Sequence, residues 1–226
     1  GRVRNKRAHC PTHLPKLHGP TIPIPPQAPV YTLLTAAGST PALPGTRVRG
    51  CVVAPSAACP GGDLRGASLH AAFLSYADYR RASFRNASLT LGNVSFADLS
   101  GADLGSAVLA GSAGVGTKLT GANLAKANLT LADFVGADLR RAKLTGADAR
   151  SANLTRADLR KVDLRRADFE GVALIRADLR GAELAGADLT EAILTGARLP
   201  AGFPGGATLC NTSMPDGTIG NPQPKC

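Results

Sequence analysis

The chain has 226 residues, room for one or two domains. Aromatic residues make up 4% and Trp is absent, yet 44% of the chain is hydrophobic, which excludes a core of large side chains and favours many small Ala/Leu layers. The 26 Lys and Arg against 16 Asp and Glu give a net charge of +10, opposite in sign to an acidic surface, and no apolar run approaches the ~18 residues of a membrane span.

Residues 1–56 form a distinct N-terminal arm. They carry seven basic residues (Arg2, Arg4, Lys6, Arg7, Lys16, Arg47 and Arg49) and no acidic one. Pro20, Pro23, Pro25, Pro26 and Pro29 make its middle extended and polyproline-like. Such an arm needs a surface to lie on, its own chain's or a neighbour's, and Ile22, Ile24, Val30, Tyr31, Leu33 and Leu34 are its apolar contacts. Its charge also suits nucleic acid, acidic glycans or an anionic surface. His9, Cys10, His13 and His18 match no strong metal-ligand spacing, so no metal or cofactor is expected.

Residues 57–221 are organised by a five-residue period. Taking the middle residue of each unit as its centre, centres fall every five residues from Leu64 to Leu199. Leu or Phe fills 24 of these 28 positions, the exceptions being Tyr79, Val94, Gly114 and Ala149. Ala fills 22 of the 28 positions two residues earlier. Leu209, Met214 and Ile219 keep the phase further on. A period of five fits neither a helix nor an open strand, but it fits a short extended segment closed by a turn. The centre and the small residue two before it then face inward, because extended side chains alternate. Residues one before and one after the centre face outward, and Gly, frequent two after it, suits a corner.

Units such as Ala102-Asp103-Leu104, Ala137-Asp138-Leu139 and Ala157-Asp158-Leu159 carry the pattern A-(D/N)-L-x-x. In this the chain resembles the pentapeptide-repeat family. The resemblance implies an all-β fold, a right-handed quadrilateral β-helix of about eight coils, with four units per coil. Some family members are similar to DNA in shape and negative charge; here the residues after the arm are slightly basic, so DNA mimicry is not expected.

With twenty residues per coil, residues twenty apart stack. One face then carries Asp138, Asp158 and Asp178 beside Arg140, Arg160 and Arg180, with Arg141 and Lys161 at its corner. These ladders read either as mutual charge neutralisation, the favoured reading, or as polyanion contacts. Another face carries Phe73, Val115, Val135, Ile175 and Ile193 outward, with Tyr76, Leu91, Phe96 and Leu131 at its corners, and Gly114 is a possible bulge. An apolar outer strip marks a packing surface.

Neither flank reads as a helical cap, so open ends are expected, which invite head-to-tail stacking, into a filament if the rotation does not close and a closed oligomer if it does. Residues 222–226 are a short tail. All five Cys lie outside the regular repeats; Cys51 with Cys59 and Cys210 with Cys226 are the economical pairs, leaving Cys10 free or intermolecular. Sequons at Asn86, Asn93, Asn128, Asn153 and Asn211 make these candidate glycosylation sites. With the terminal Cys, they favour a secreted glycoprotein.

An enzyme is not expected: a rod filled with Leu and Ala leaves no substrate cavity, and no nucleophile–base set is visible. The favoured function is a structural subunit that self-associates through its arm, its ends and its apolar face. The alternative is a module binding an acidic glycan or nucleic acid through Arg2, Arg4, Lys6, Arg7 and the Arg140, Arg160 and Arg180 ladder.

Overall fold

The computed structural model describes residues 45–220. Within them the chain winds as a right-handed quadrilateral β-helix. Parallel single-residue bridges join positions twenty apart, from Ala58↔Asp78 at the start to Ile193↔Ser213 at the end. We number the four faces in chain order: face 1 bridges through 78, 98, 118, 138, 158 and 178; face 2 through 83, 103, 123, 143 and 163; face 3 through 88, 108, 128, 148 and 168; face 4 through 73, 93, 113, 133, 153, 173 and 193.

One unit, residues 137–141, shows why five residues suffice. The Ala137 amide closes the preceding turn on the Phe134 carbonyl at 3.1 Å. The Asp138 amide donates to Thr117 O on the coil before at 3.0 Å. The Leu139 and Arg141 amides donate to Asp158 O and Arg160 O on the coil after, at 2.8 and 3.0 Å. The remaining amide, of Arg140, donates to the Asp138 Oδ1 at 3.1 Å. Every backbone donor is therefore satisfied, one of them only because the residue before the centre is Asp. The same side-chain acceptor recurs at Asp98, Asn123, Asp148, Asn153 and Asp188.

The corner residue sits at positive φ, as at Gly121 (66°) and Gly136 (65°), which completes a type II turn. Non-glycine residues also occupy corners, Arg141 at 57° and Lys161 at 58° among them. For these the left-handed backbone costs about 1–2 kcal/mol each.

Centres and the small residues before them are buried from Leu69 to Leu179, while Ala67, Ala182 and Leu199 nearer the ends are half-buried. The exceptions at the inner positions have local causes. A Cβ on Gly62 would stand 2.2 Å from Cys51 Sγ and 2.5 Å from Cys59 Sγ, so the Cys51–Cys59 disulfide fills the space where other units carry Ala. A Cβ on Gly114 would stand 2.2 Å from the Phe134 ring. The coil does not bulge there. Its ladder continues through Gly114 N–H to Asp133 O at 2.7 Å, and the ring of the next coil takes the vacated volume. Thr117, also buried, donates to Val94 O and Gly114 O.

Short antiparallel hairpins stand at both ends of the stack. At the N-terminal end β1 (Thr46–Val48) and β2 (Cys51–Val53) form an antiparallel hairpin. Cys51 and Val53 are buried against the first coil, and the Tyr79 hydroxyl donates to Val52 O at 2.8 Å. Burial pushes that phenol up to about 12. Arg49 reaches from the hairpin turn to Asp63 Oδ1 and Arg65 O on face 2.

At the other end β3 (Thr212–Ser213) pairs antiparallel with β4 (Ile219–Gly220). Ile219 is thus a hairpin residue, 61% exposed, and not the centre of a further unit. The five-residue phase also breaks at residues 200–206, where a turn with a cis Phe203–Pro204 bond replaces one unit. Leu209 resumes it, buried, and Thr208 bridges Asp188.

Candidate functional site

The inside of the helix is filled by its own side chains, so function falls to the four faces and their corners. Face 1 carries Asp–Arg pairs on three successive coils. Arg140 Nη2 lies 2.6 Å from Asp138 Oδ2, Arg160 Nη2 2.7 Å from Asp158 Oδ2, and Arg180 Nη2 2.7 Å from Asp178 Oδ2. The Nε of each Arg also donates to Oδ1 of the same Asp, so the forks are bidentate. The Arg side-chain hydrogen bonds hold the Asp138 and Asp178 carboxyls below the usual range. Arg80 and Arg150 repeat the Asp-x-Arg fork on faces 1 and 3.

The corner cations are different. Arg81, Lys126, Arg141, Arg156, Lys161, Arg166 and Arg176 pair with no carboxylate among the described residues. Arg156 and Arg176 stand on the corner entering face 1, and Arg141 and Lys161 on the corner leaving it. The first pair escaped the sequence reading because it followed the ladder residues. The position two after each centre was the signal for it.

Face 4 carries the exposed large apolar side chains. The Tyr76 and Phe96 rings stack at 5.2 Å with planes 14° apart. A Cβ on Gly116 would meet the Phe96 ring at 2.8 Å, so that ring lies over the next corner. Across the face, a Cβ on Gly111 would meet Leu91 Cδ2 at 2.9 Å. Phe73, Leu91 and Leu131 are more than half exposed, while Val115 and Val135 are half-buried between the corners. These residues fall on four successive coils. Over that stretch, from corner 71 to corner 136, the outward and corner positions of face 4 hold a single charge, Asp133. Ile175 and Ile193 lie further along, separated from this cluster by Asn153, Thr155 and Arg156.

Among the sequons, Asn86 is an exposed corner residue with φ 58°. Asn93, Asn128 and Asn153 are half-buried in the ladders, their Oδ1 atoms accepting the amides of Ser95, Thr130 and Thr155; the Thr130 hydroxyl also reaches Asn128 Oδ1. Asn211 is exposed at positive φ. Cys51 and Cys59 are joined, with Cα atoms 5.5 Å apart. Cys210 is also disulfide-bonded. Arg2, Arg4, Lys6, Arg7, Cys10, the histidines of the arm and Cys226 lie outside the described residues. Among the described residues no cluster of His, Cys, Asp and Glu is arranged to hold a metal ion, and no helix is long and apolar enough to cross a membrane.

A four-sided β-helix with a filled interior and chemically distinct faces is what the five-residue repeat builds. The sequence model of pentapeptide repeats matches residues 63–95, 97–134, 132–171 and 167–200, and the chain belongs to this family. Among solved structures it is similar to HetL, a pentapeptide-repeat protein involved in heterocyst differentiation regulation from the cyanobacterium Nostoc sp. strain PCC 7120. The identity is 30%, over 73% of this chain and 90% of that one, with a TM-score of 0.35. It is also similar to trypsin-treated QnrB1, a plasmid-mediated fluoroquinolone resistance protein, at 21% identity over 66% of this chain and 77% of that one, with a TM-score of 0.50. A third similar structure is Rfr23 from the cyanobacterium Cyanothece 51142, at 33% identity over 46% of this chain and 64% of that one, with a TM-score of 0.25. No curated protein matches the chain significantly.

Proposed function

We propose that the protein is a non-enzymatic binding scaffold that self-associates through the apolar half of face 4, copy against copy. The observation that carries this is the Tyr76–Phe96 stack with Leu91, Leu131 and Phe73, exposed along four coils whose face 4 positions hold one charge. The chain is basic overall, with seven of its cations in residues 1–56 and a slight excess after them, so two copies repel each other, most where cations stand without a carboxylate. The nearly uncharged half of face 4 is where two copies can meet without that penalty, and it offers the apolar area that association needs. The side face is the surface proposed for association. Secretion fits the disulfides at Cys51, Cys59 and Cys210, which persist in an oxidising compartment.

The test is the solution mass of the full chain by light scattering, beside a Phe96→Glu/Leu131→Glu variant. Both positions are exposed corners, so the variant keeps the β-helix circular dichroism. The native chain is expected as a dimer or larger and the variant as a monomer. An unchanged mass in the variant would remove face 4 from the assembly.

A further inference from the structure

We propose that face 1 between residues 138 and 180 is a binding site for a linear acidic polysaccharide, held chiefly by its corner cations. Seven cations occupy this face and its two edges: Arg140, Arg141, Arg156, Arg160, Lys161, Arg176 and Arg180. Three carboxylates, Asp138, Asp158 and Asp178, face them, and each is engaged by the Arg two residues on. Neutralisation therefore consumes the ladder and leaves four charges in surplus.

Those four are arranged as two parallel rows. Arg156 and Arg176 stack on one edge and Arg141 and Lys161 on the other, each pair on adjacent coils. A shallow cleft of about 370 Å³ opens between Thr120, Arg140, Arg141, Arg160 and Lys161. The rise per coil of ~4.8 Å is close to the advance of one pyranose along an extended polysaccharide. Successive sulfates or carboxylates can thus meet successive coils.

The chemistry of the face favours a glycan over nucleic acid. Single-stranded nucleic acid is held by aromatic platforms as well as charge. This stretch of face 1 and both its corners carry no aromatic residue, and the exposed rings lie on face 4, around Tyr76 and Phe96. Rows of cations without an aromatic platform suit a hydrated, non-stacking polymer.

The test uses the full chain and heparin, with poly-dT and duplex DNA as competitors. Three variants are compared: Arg141→Ala/Lys161→Ala, Arg156→Ala/Arg176→Ala, and Lys126→Ala/Arg166→Ala. The last removes the same charge from the corner between faces 2 and 3. Each face 1 variant is expected to weaken heparin binding about tenfold and to lower the salt slope by roughly two. The Lys126/Arg166 variant is expected to change affinity less than about twofold, by loss of net charge alone. Equal losses in all three variants, no loss in the first two, or tighter binding of either DNA than of heparin would overturn the proposal.

Discussion

At the scale of the residue, the position before each centre explains itself once the amides are followed. Its side-chain oxygen accepts the one backbone donor that neither the turn nor the neighbouring coils satisfy, as Asp138 does for Arg140. Asn123, Asn128 and Asn153 show that charge is not required. Asp188→Asn, at a position whose oxygen serves the Thr190 amide and has no Arg fork, is therefore expected to change stability by less than ~0.5 kcal/mol, whereas Asp188→Ala is expected to cost about 1 kcal/mol. Urea denaturation of the two variants checks this. Gly114 makes a second case. The Phe134 ring fills its site, so Gly114→Leu is expected to cost about 1–3 kcal/mol, and adding Phe134→Ala should restore part of the loss. An additive double variant would show that the two positions do not share one volume.

Residues also set how much was legible in advance. The buried register, the four faces and the apolar residues of face 4 follow from a period that every unit repeats, so one chain sufficed to find them. What escaped were features that depend on one residue meeting another twenty or more positions away. Gly114 read as a weak repeat because its partner, Phe134, sits in the next coil. Gly62 is one of six inner positions without Ala, and the Cys51–Cys59 sulfurs that occupy its space come from outside the repeat. The sequence sets Asp and Arg ladders side by side for mutual neutralisation, but the fork within each unit, with the amide it satisfies, depends on side-chain geometry that the sequence does not display.

At the scale of the element, the end hairpins and the coil ladders carry the stability. The N-terminal hairpin is tied by Cys51–Cys59, eight residues apart in sequence, and Gly62 leaves room for it. Cys51→Ser/Cys59→Ser is expected to destabilise the protein by roughly 2–3 kcal/mol on loop-closure grounds, read as a lowered urea midpoint. These hairpins are not visible in the sequence: residues 46–53 precede the repeat, and residues 212–220 keep its phase at Met214 and Ile219 while pairing as a hairpin. Ile219 keeps the phase by number alone, and antiparallel pairing with Ser213 takes it out of the coil.

The ladders give a pH signature. Hydrogen bonds from Arg165, with that of Thr145, hold the Asp163 carboxyl down at about 2. Asp78, Asp138, Asp148 and Asp178 are lowered in the same way by their own Arg partners. A carboxyl depressed in the folded state stabilises it fully above the unfolded value of ~3.9 and ceases to do so as pH falls toward the folded value. Thermal stability is therefore expected to stay level from pH 7 to about 4.5 and to fall between roughly pH 4 and 2. A melting temperature that declines already between pH 7 and 5 would contradict this assignment.

At the scale of the whole molecule, one repeat builds a uniform interior and leaves the surface free to vary by face. The basic half of face 1 and the apolar half of face 4 lie on different coils, 138–180 and 73–135, so the two surfaces can be occupied together. The central claim is that copies of the chain meet through face 4. Sedimentation velocity of the native full chain, over a concentration series at low and raised ionic strength, tests it most directly. Association is expected to increase with concentration and to strengthen with salt, which screens the net positive charge while leaving the apolar contact intact. A single monomeric species at every concentration and salt would contradict the account.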